Sequence, residues 1–141
     1  MLKVISMRFL SAIVFVSCLT LGWASAAHAD RYPTAVFSGL DKISANVSQF
    51  TADVNKPVRY GSLQITVYAC HKKPPEETPQ TSVYVEVHEV MQETQEVDPK
   101  PLFKGWMFAE SPGINGLEHP VYDIWLNTCK GVATPEPDGN L

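Results

Sequence analysis

The densest run of chemically capable side chains is Glu118-His119-Pro120-Val121-Tyr122-Asp123. A histidine and a carboxylate within hydrogen-bond reach can serve as a general base and its orienting partner. Four residues of extended strand span about 13 Å, so His119 and Asp123 can pair locally only across a turn. The plainer reading is a loop-to-strand junction, in which Glu118 or Asp123 accepts from nearby backbone N–H groups. A small hydrolase or ligand-binding site centred on His119 and Asp123 would also need a pocket reaching Trp106 or Trp125. Other chemistries lack parts. His71, His88 and His119 show no H-x-x-x-H spacing, and a site from His71, His119 and Glu118 would need tertiary assembly, so no metal is expected. Ser111 stands in Glu110-Ser111-Pro112-Gly113, which is not the G-x-S-x-G of a nucleophile elbow. Gly113 and Gly116 lack the spacing and the lysine of a phosphate loop. No cofactor is expected, and no catalytic residue is assigned.

Recognition is easier to place than catalysis. Trp106, Phe108, Tyr122 and Trp125 lie on two late strand candidates. They either pack in the core or form an aromatic patch for a hydrophobic or sugar-like ligand. The segment 71–81 (HKKPPEETPQT) carries Pro74, Pro75 and Glu76 in a stiff polar loop whose prolines lower the entropy lost on docking. Trp106, Trp125, His119, Asp123, Pro74, Pro75 and Glu76 are therefore the candidate interaction surface.

The N-terminus sets the compartment in which these groups would work. Lys3 and Arg8 precede an apolar run from Phe9 to Trp23, no acidic residue occurs before Asp30, and Ala27-His28-Ala29 offers small residues to a signal peptidase. This layout reads as a secretory signal peptide over 1–29, cut between Ala29 and Asp30. The run is short for a bilayer span of about 20 residues, which argues against a retained anchor. Lipid attachment at Cys18 fits poorly because Phe15 stands where an aliphatic residue is expected. No transmembrane span is expected after cleavage, and the expected location is the periplasm.

The full chain of 141 residues has 15 acidic and 11 basic side chains and is 45% hydrophobic. It is too apolar for a disordered chain and allows one domain. Its negative charge makes nucleic acid a poor partner. In the exported chain only Cys70 and Cys129 remain. An oxidising compartment makes them an expected disulfide, worth about 4 kcal/mol for a loop of about 60 residues. There is no C-x-x-C, so the usual redox motif is absent.

The elements that must position these residues read as strands. Residues 63–70 (LQITVYAC) alternate, with Leu63, Ile65, Val67 and Ala69 on one face and Tyr68 and Cys70 on the other. Residues 82–91 place Val83, Val85 and Val87 toward the core and Tyr84, Glu86 and His88 outward. Segments 34–40, 43–54, 102–110 and 121–129 complete the set. In 43–54, Ile43, Ala45 and Val47 share a face that Phe50, Ala52 and Val54 continue after a phase slip. Gly105 is a candidate bulge, and Cys129 shares a face with Trp125 and Asp123. The expected fold is all-β, an antiparallel sandwich or small barrel of six to seven short strands over 30–130, stapled by one disulfide, with a disordered tail over 131–141.

Several strings then look familiar together: Gly39-Leu40-Asp41-Lys42, Val58-Arg59-Tyr60-Gly61, the alternating run ending Ala69-Cys70, Pro74-Pro75-Glu76-Glu77-Thr78-Pro79, Gly105-Trp106-Met107-Phe108, and Glu118-His119-Pro120-Val121-Tyr122-Asp123. The chain resembles, over roughly 35–130, a domain-of-unknown-function family of small exported alphaproteobacterial proteins. The resemblance implies a periplasmic setting and supplies no activity, substrate or catalytic residue. The expected role is a non-catalytic accessory or interaction module of the cell envelope, with a protein partner. The alternatives are the His119/Asp123 enzyme or binding protein, and a structural or folding-assist protein of an inner-membrane complex.

Overall fold

The structure, a computed structural model, describes residues 29–135. The expected signal peptide lies outside the described residues, apart from Ala29. Nine strands form two sheets: β1 (Asp30–Arg31), β2 (Thr34–Asp41), β3 (Asn46–Asp53), β4 (Pro57–Tyr60), β5 (Leu63–Lys72), β6 (Thr81–Glu89), β7 (Phe103–Phe108), β8 (Leu117–Glu118) and β9 (Tyr122–Lys130). One sheet runs β1-β5-β6-β7 with β4 also on β5, and the other runs β3-β2-β9-β8. Every ladder is antiparallel. The outcome is a two-sheet sandwich rather than a closed barrel.

The alternation read from the sequence builds the core. Leu63, Ile65 and Val67 of β5 and Val83, Val85 and Val87 of β6 are buried, facing Phe37, Ile124 and Leu126 of the other sheet. Each such side chain contributes about 1.5–3 kcal/mol of burial. The simple alternation fails near the cysteines. In β5 the pairing with β6 shifts between Val67 and Ala69, which makes Tyr68 an extra residue. In β9 the pairing with β2 shifts so that Val36 faces Thr128 and Phe37 faces Leu126, leaving Asn127 as the extra residue. A bulge reverses which face later residues occupy. Tyr68 keeps the outward face its alternation gives it, while Cys70, not Ala69, joins the core, and Cys129 turns inward, away from the face of Trp125 and Asp123. The Cys70 and Cys129 Cα atoms lie 5.9 Å apart and the disulfide is formed. Gly105, in contrast, pairs in register with Val85 and carries no bulge.

One other expectation is corrected. Residues 43–45 are not strand: the Asp41 Oδ1 accepts the backbone N–H groups of Ile43 (2.9 Å) and Ser44 (3.2 Å), closing a turn in which Ala45 has φ of 55°. Ile43 and Val47 are consequently exposed, while Ala52 is buried as its alternation implies. The loop after β7 holds one helical turn, α1 (Pro112–Asn115), and then β8. Thr134, within the segment read as a tail, exchanges two backbone hydrogen bonds with Arg31. Residues 136–141 lie outside the described residues.

Candidate functional site

The Glu118–Asp123 segment is a hairpin. Glu118 and Asp123 are direct cross-strand partners, with His119 to Tyr122 between them. Two carboxylates placed opposite each other repel. Lys42 offsets this: its Nζ lies 2.6 Å from Asp123 Oδ1 and donates to the His119 carbonyl at 3.0 Å. His119 and Asp123 thus sit in one turn but engage different partners. The His119 ring stacks on Tyr122, its Nδ1 accepts the Val121 N–H at 3.2 Å, and its Nε2 lies 3.7 Å from Glu89. A neutral imidazole has one lone pair. Here that lone pair receives the Val121 N–H, so the ring is engaged in closing the turn and not with Asp123. The cleft holding Asp123 and Trp125, about 330 Å³, is lined by Glu118 and Ile114 but not by His119.

This corner explains several of the familiar strings as packing. The rings of Phe37, Phe50, Tyr60, Tyr122 and His119 form a continuous ladder joining the two sheets, with centroid spacings of 5.4, 4.8, 5.6 and 5.8 Å. The Tyr60 ring covers Gly39 and the Tyr122 ring covers Gly61, where a Cβ would come within 2.4 Å of either ring. The glycines leave room for the tyrosines, and Lys42 ties the last hairpin to the first.

A different arrangement occupies the outer face of the β1-β5-β6-β7 sheet. Tyr68, Tyr84 and Trp106 stand in a row across β5, β6 and β7, with centroids 6.3 and 5.4 Å apart, and His71 lies 5.6 Å from Trp106. Tyr68 is 46% and Trp106 39% exposed. Tyr68 points outward by the plain alternation of β5, and the bulge there changes only the faces of the residues that follow. Arg31, Asn55, Tyr68, His71 and Trp106 line a cleft of about 390 Å³ beside the row, which Tyr84 does not line. Large aromatic side chains left half in water are the type that anchors interfaces.

Beside the row, Glu86 is held by Lys104 at 2.9 Å and by His88 Nε2 at 2.7 Å, while His88 Nδ1 lies 2.6 Å from the Asp98 carbonyl. Both partners of His88 only accept, so both ring nitrogens must donate to make both bonds. The hydrogen bonds from Lys104 and His88 hold the Glu86 carboxyl below its ordinary value of 4.5. A depressed pKa stabilises the fold above the ordinary value, and that stabilisation is lost as pH falls through the lowered one. Glu86→Gln is therefore expected to lower stability at neutral pH, with the deficit shrinking as pH drops below 4.5. Urea unfolding across a pH series checks this.

The remaining sequence-predicted residues lie elsewhere. Trp125 is on the outer face of the opposite sheet, flanked by buried Ile124 and Leu126. Pro74, Pro75 and Glu76 lie in the β5–β6 loop, closed by Lys73 N–H to Gln80 O (3.0 Å) and by a Lys73–Glu77 ion pair at 3.4 Å. The candidate surface thus falls into three separate places. Tyr68 and Tyr84, which complete the row with Trp106, were read in the sequence only as outward-facing, and His71 was weighed only as a metal ligand. Their signal was a large aromatic on the otherwise polar face of an alternating strand. Among the described residues, no group of three or more His, Cys, Asp or Glu side chains is placed to hold a metal, and no helix is long and apolar enough to cross a membrane.

Fold and site together define a disulfide-stapled, two-sheet β domain with an exposed aromatic row. The family described as an uncharacterized protein conserved in bacteria (DUF2155) matches residues 35–129, and the chain belongs to that family. It is 24% identical over 99 residues to an uncharacterized protein of Rickettsia prowazekii (strain Madrid E), RP359, covering 70% of this chain and 62% of that relative. No solved structure matches.

Proposed function

We propose that the protein is a non-catalytic interaction module of the cell envelope, exported to the periplasm, with its docking face on the outer side of the β1-β5-β6-β7 sheet. The observation that carries this reading is the solvent-facing row of Tyr68, Tyr84 and Trp106. Such rings offer large apolar area at little entropic cost, and truncating an anchoring aromatic commonly costs 2 kcal/mol or more. The leader-like first 29 residues and the two remaining cysteines support export. His119 engages Val121 rather than Asp123 and does not line the Trp125 cleft, which argues against the enzymatic alternative.

Two measurements test the proposal. Osmotic-shock release followed by intact mass should yield residues 30–141, two mass units below the reduced form; a full-length chain with free thiols would contradict export. Trp106→Ala/Tyr84→Ala should weaken co-fractionation of the partner from envelope extract by about 30-fold or more while the variant stays folded. Unchanged co-fractionation would remove the docking face. Co-purification with membranes that survives salt washing would instead favour a structural component of an inner-membrane complex.

A further inference from the structure

We propose that the free edge of β7 pairs with the same edge of a second copy, antiparallel and centred on Gly105, joining the sheets of two molecules across a twofold axis. This goes beyond the docking reading above, which concerns the outer face of the sheet and not its edge.

The backbone supplies the first argument. β7 ends its sheet, with β6 as its one strand neighbour among the described residues. Ala109 donates to the Thr81 carbonyl at 3.0 Å, and the same register pairs Met107 with Val83 and Gly105 with Val85. Bonded and non-bonded pairs alternate along an antiparallel ladder. The N–H and C=O groups of Gly105 and Met107 therefore turn to β6, and those of Lys104 and Trp106 turn outward. Such a row of donors and acceptors is a template for another strand.

Proteins usually guard their edge strands, and the others here are guarded. β1 and β8 have two residues each, Arg31 of β1 is bonded to Thr134, and Pro57 heads the four-residue β4. The longer β3 shows mostly polar groups to solvent, Gln49, Thr51 and Asp53 among them. β7 has no proline and no bulge, Trp106 on it is exposed, and so is Leu102 just before it. Its one lysine, Lys104, is drawn back over the sheet to Glu86 at 2.9 Å.

Register selects a second copy as the occupant. Centring on Gly105 sets Lys104 opposite Trp106 of the second copy, and the reverse. Every outward donor and acceptor of the two residues is then used, and each ammonium comes beside an indole. Centring on Lys104 would oppose like charges. Centring on Trp106 would need the Phe108 carbonyl, which already accepts the Ser111 N–H at 3.3 Å. Nothing inside the chain demands glycine at 105, where a Cβ would meet only the Phe103 ring, at 3.7 Å. A mid-strand glycine of this kind marks a close approach of another backbone. The pairing would also set two aromatic rows on one continuous face.

The test is sedimentation equilibrium of the purified, disulfide-intact protein, with cysteine cross-linking to read the register. A reversible dimer is expected, since the contact is small beside the roughly 1,600 Å² of a standard interface. Under mild oxidation Gly105→Cys should give a covalent dimer, because Cα atoms about 4.5 Å apart suit a disulfide. Lys104→Cys, two residues out of register with its own copy, should not. Trp106→Lys, which opposes lysines at both symmetric positions, should weaken the dimer at least about tenfold with the urea midpoint of the dilute monomer unchanged. Trp106→Pro, which removes an outward N–H and no ladder bond, should abolish it. Monomer alone up to about 1 mM, equal cross-linking from 104 and 105, or full dimerisation in both Trp106 variants would overturn the proposal. So would a monomer whose Gly105→Cys variant captures a different protein in cells, which would assign the edge to a foreign strand. Photo-crosslinking at position 84 reads the sheet face separately, so loss of the dimer leaves the docking reading standing.

Discussion

Cys70→Ala/Cys129→Ala is expected to lose about 4 kcal/mol of unfolding free energy in the chain-entropy model, since the bond closes a loop across 59 positions. The two sulfurs lie in the core, so their removal also leaves unfilled space. That loss is a large share of the 5–15 kcal/mol typical of a small domain. Urea unfolding reads it: with a slope of about 1–2 kcal/mol/M the midpoint should fall by at least about 2 M. The bond joins β5 to β9, hence one sheet to the other, so the variant should lose sheet-to-sheet packing before it loses either hairpin. A loss below about 1 kcal/mol would mean that the two sheets hold together by burial alone.

Gly61→Ala is expected to cost about 3 kcal/mol. Gly61 has φ of 58°, a left-handed conformation in which a Cβ costs roughly 1–2 kcal/mol. The added methyl would also come within 2.4 Å of the Tyr122 ring. That ring cannot swing freely, because Tyr60 packs edge-on against it and His119 stacks on it. Overpacking of this kind adds about 1–3 kcal/mol. The two contributions separate in a double-mutant cycle. Tyr122→Leu should relieve the steric part and leave the backbone part, so Gly61→Ala/Tyr122→Leu should cost less than the sum of the single changes. Gly113→Ala is the control: nothing lies within 4 Å of its Cβ position, and the change should stay within about 0.5 kcal/mol. Additivity at Gly61 would show that the ring ladder is not what demands glycine there.

Both results bear on what was legible in the sequence. Period-two alternation found β2, β5 and β6, because each sheet has one buried face, while apolar runs between turn signals marked β7 and β9. The cysteine pairing followed from number and compartment. What the pattern missed were the phase reversals at Tyr68 and Asn127. A bulge is a property of two paired strands, and alternation within one strand does not reveal it. The Asp41 turn was missed for a related reason: Ile43 is a β-former placed where a carboxylate captures the backbone instead.

The site was legible only in part. Trp106 was identified, but its neighbours Tyr84 and His71 come from other strands and needed the register to be seen. His119 and Asp123 share the turn that local pairing would require, yet they do not pair. Their true partners, Glu89 and Lys42, come from distant segments that no local spacing announces.

The most direct test of the docking face is a photo-crosslinking residue placed at position 84 in native cells, with position 47 on the opposite sheet as control. The expected result is a discrete adduct from 84, none from the exposed control at 47, and its loss when Trp106→Ser is added. Equal labelling from both positions, or an adduct from 84 that persists without the indole, would contradict it.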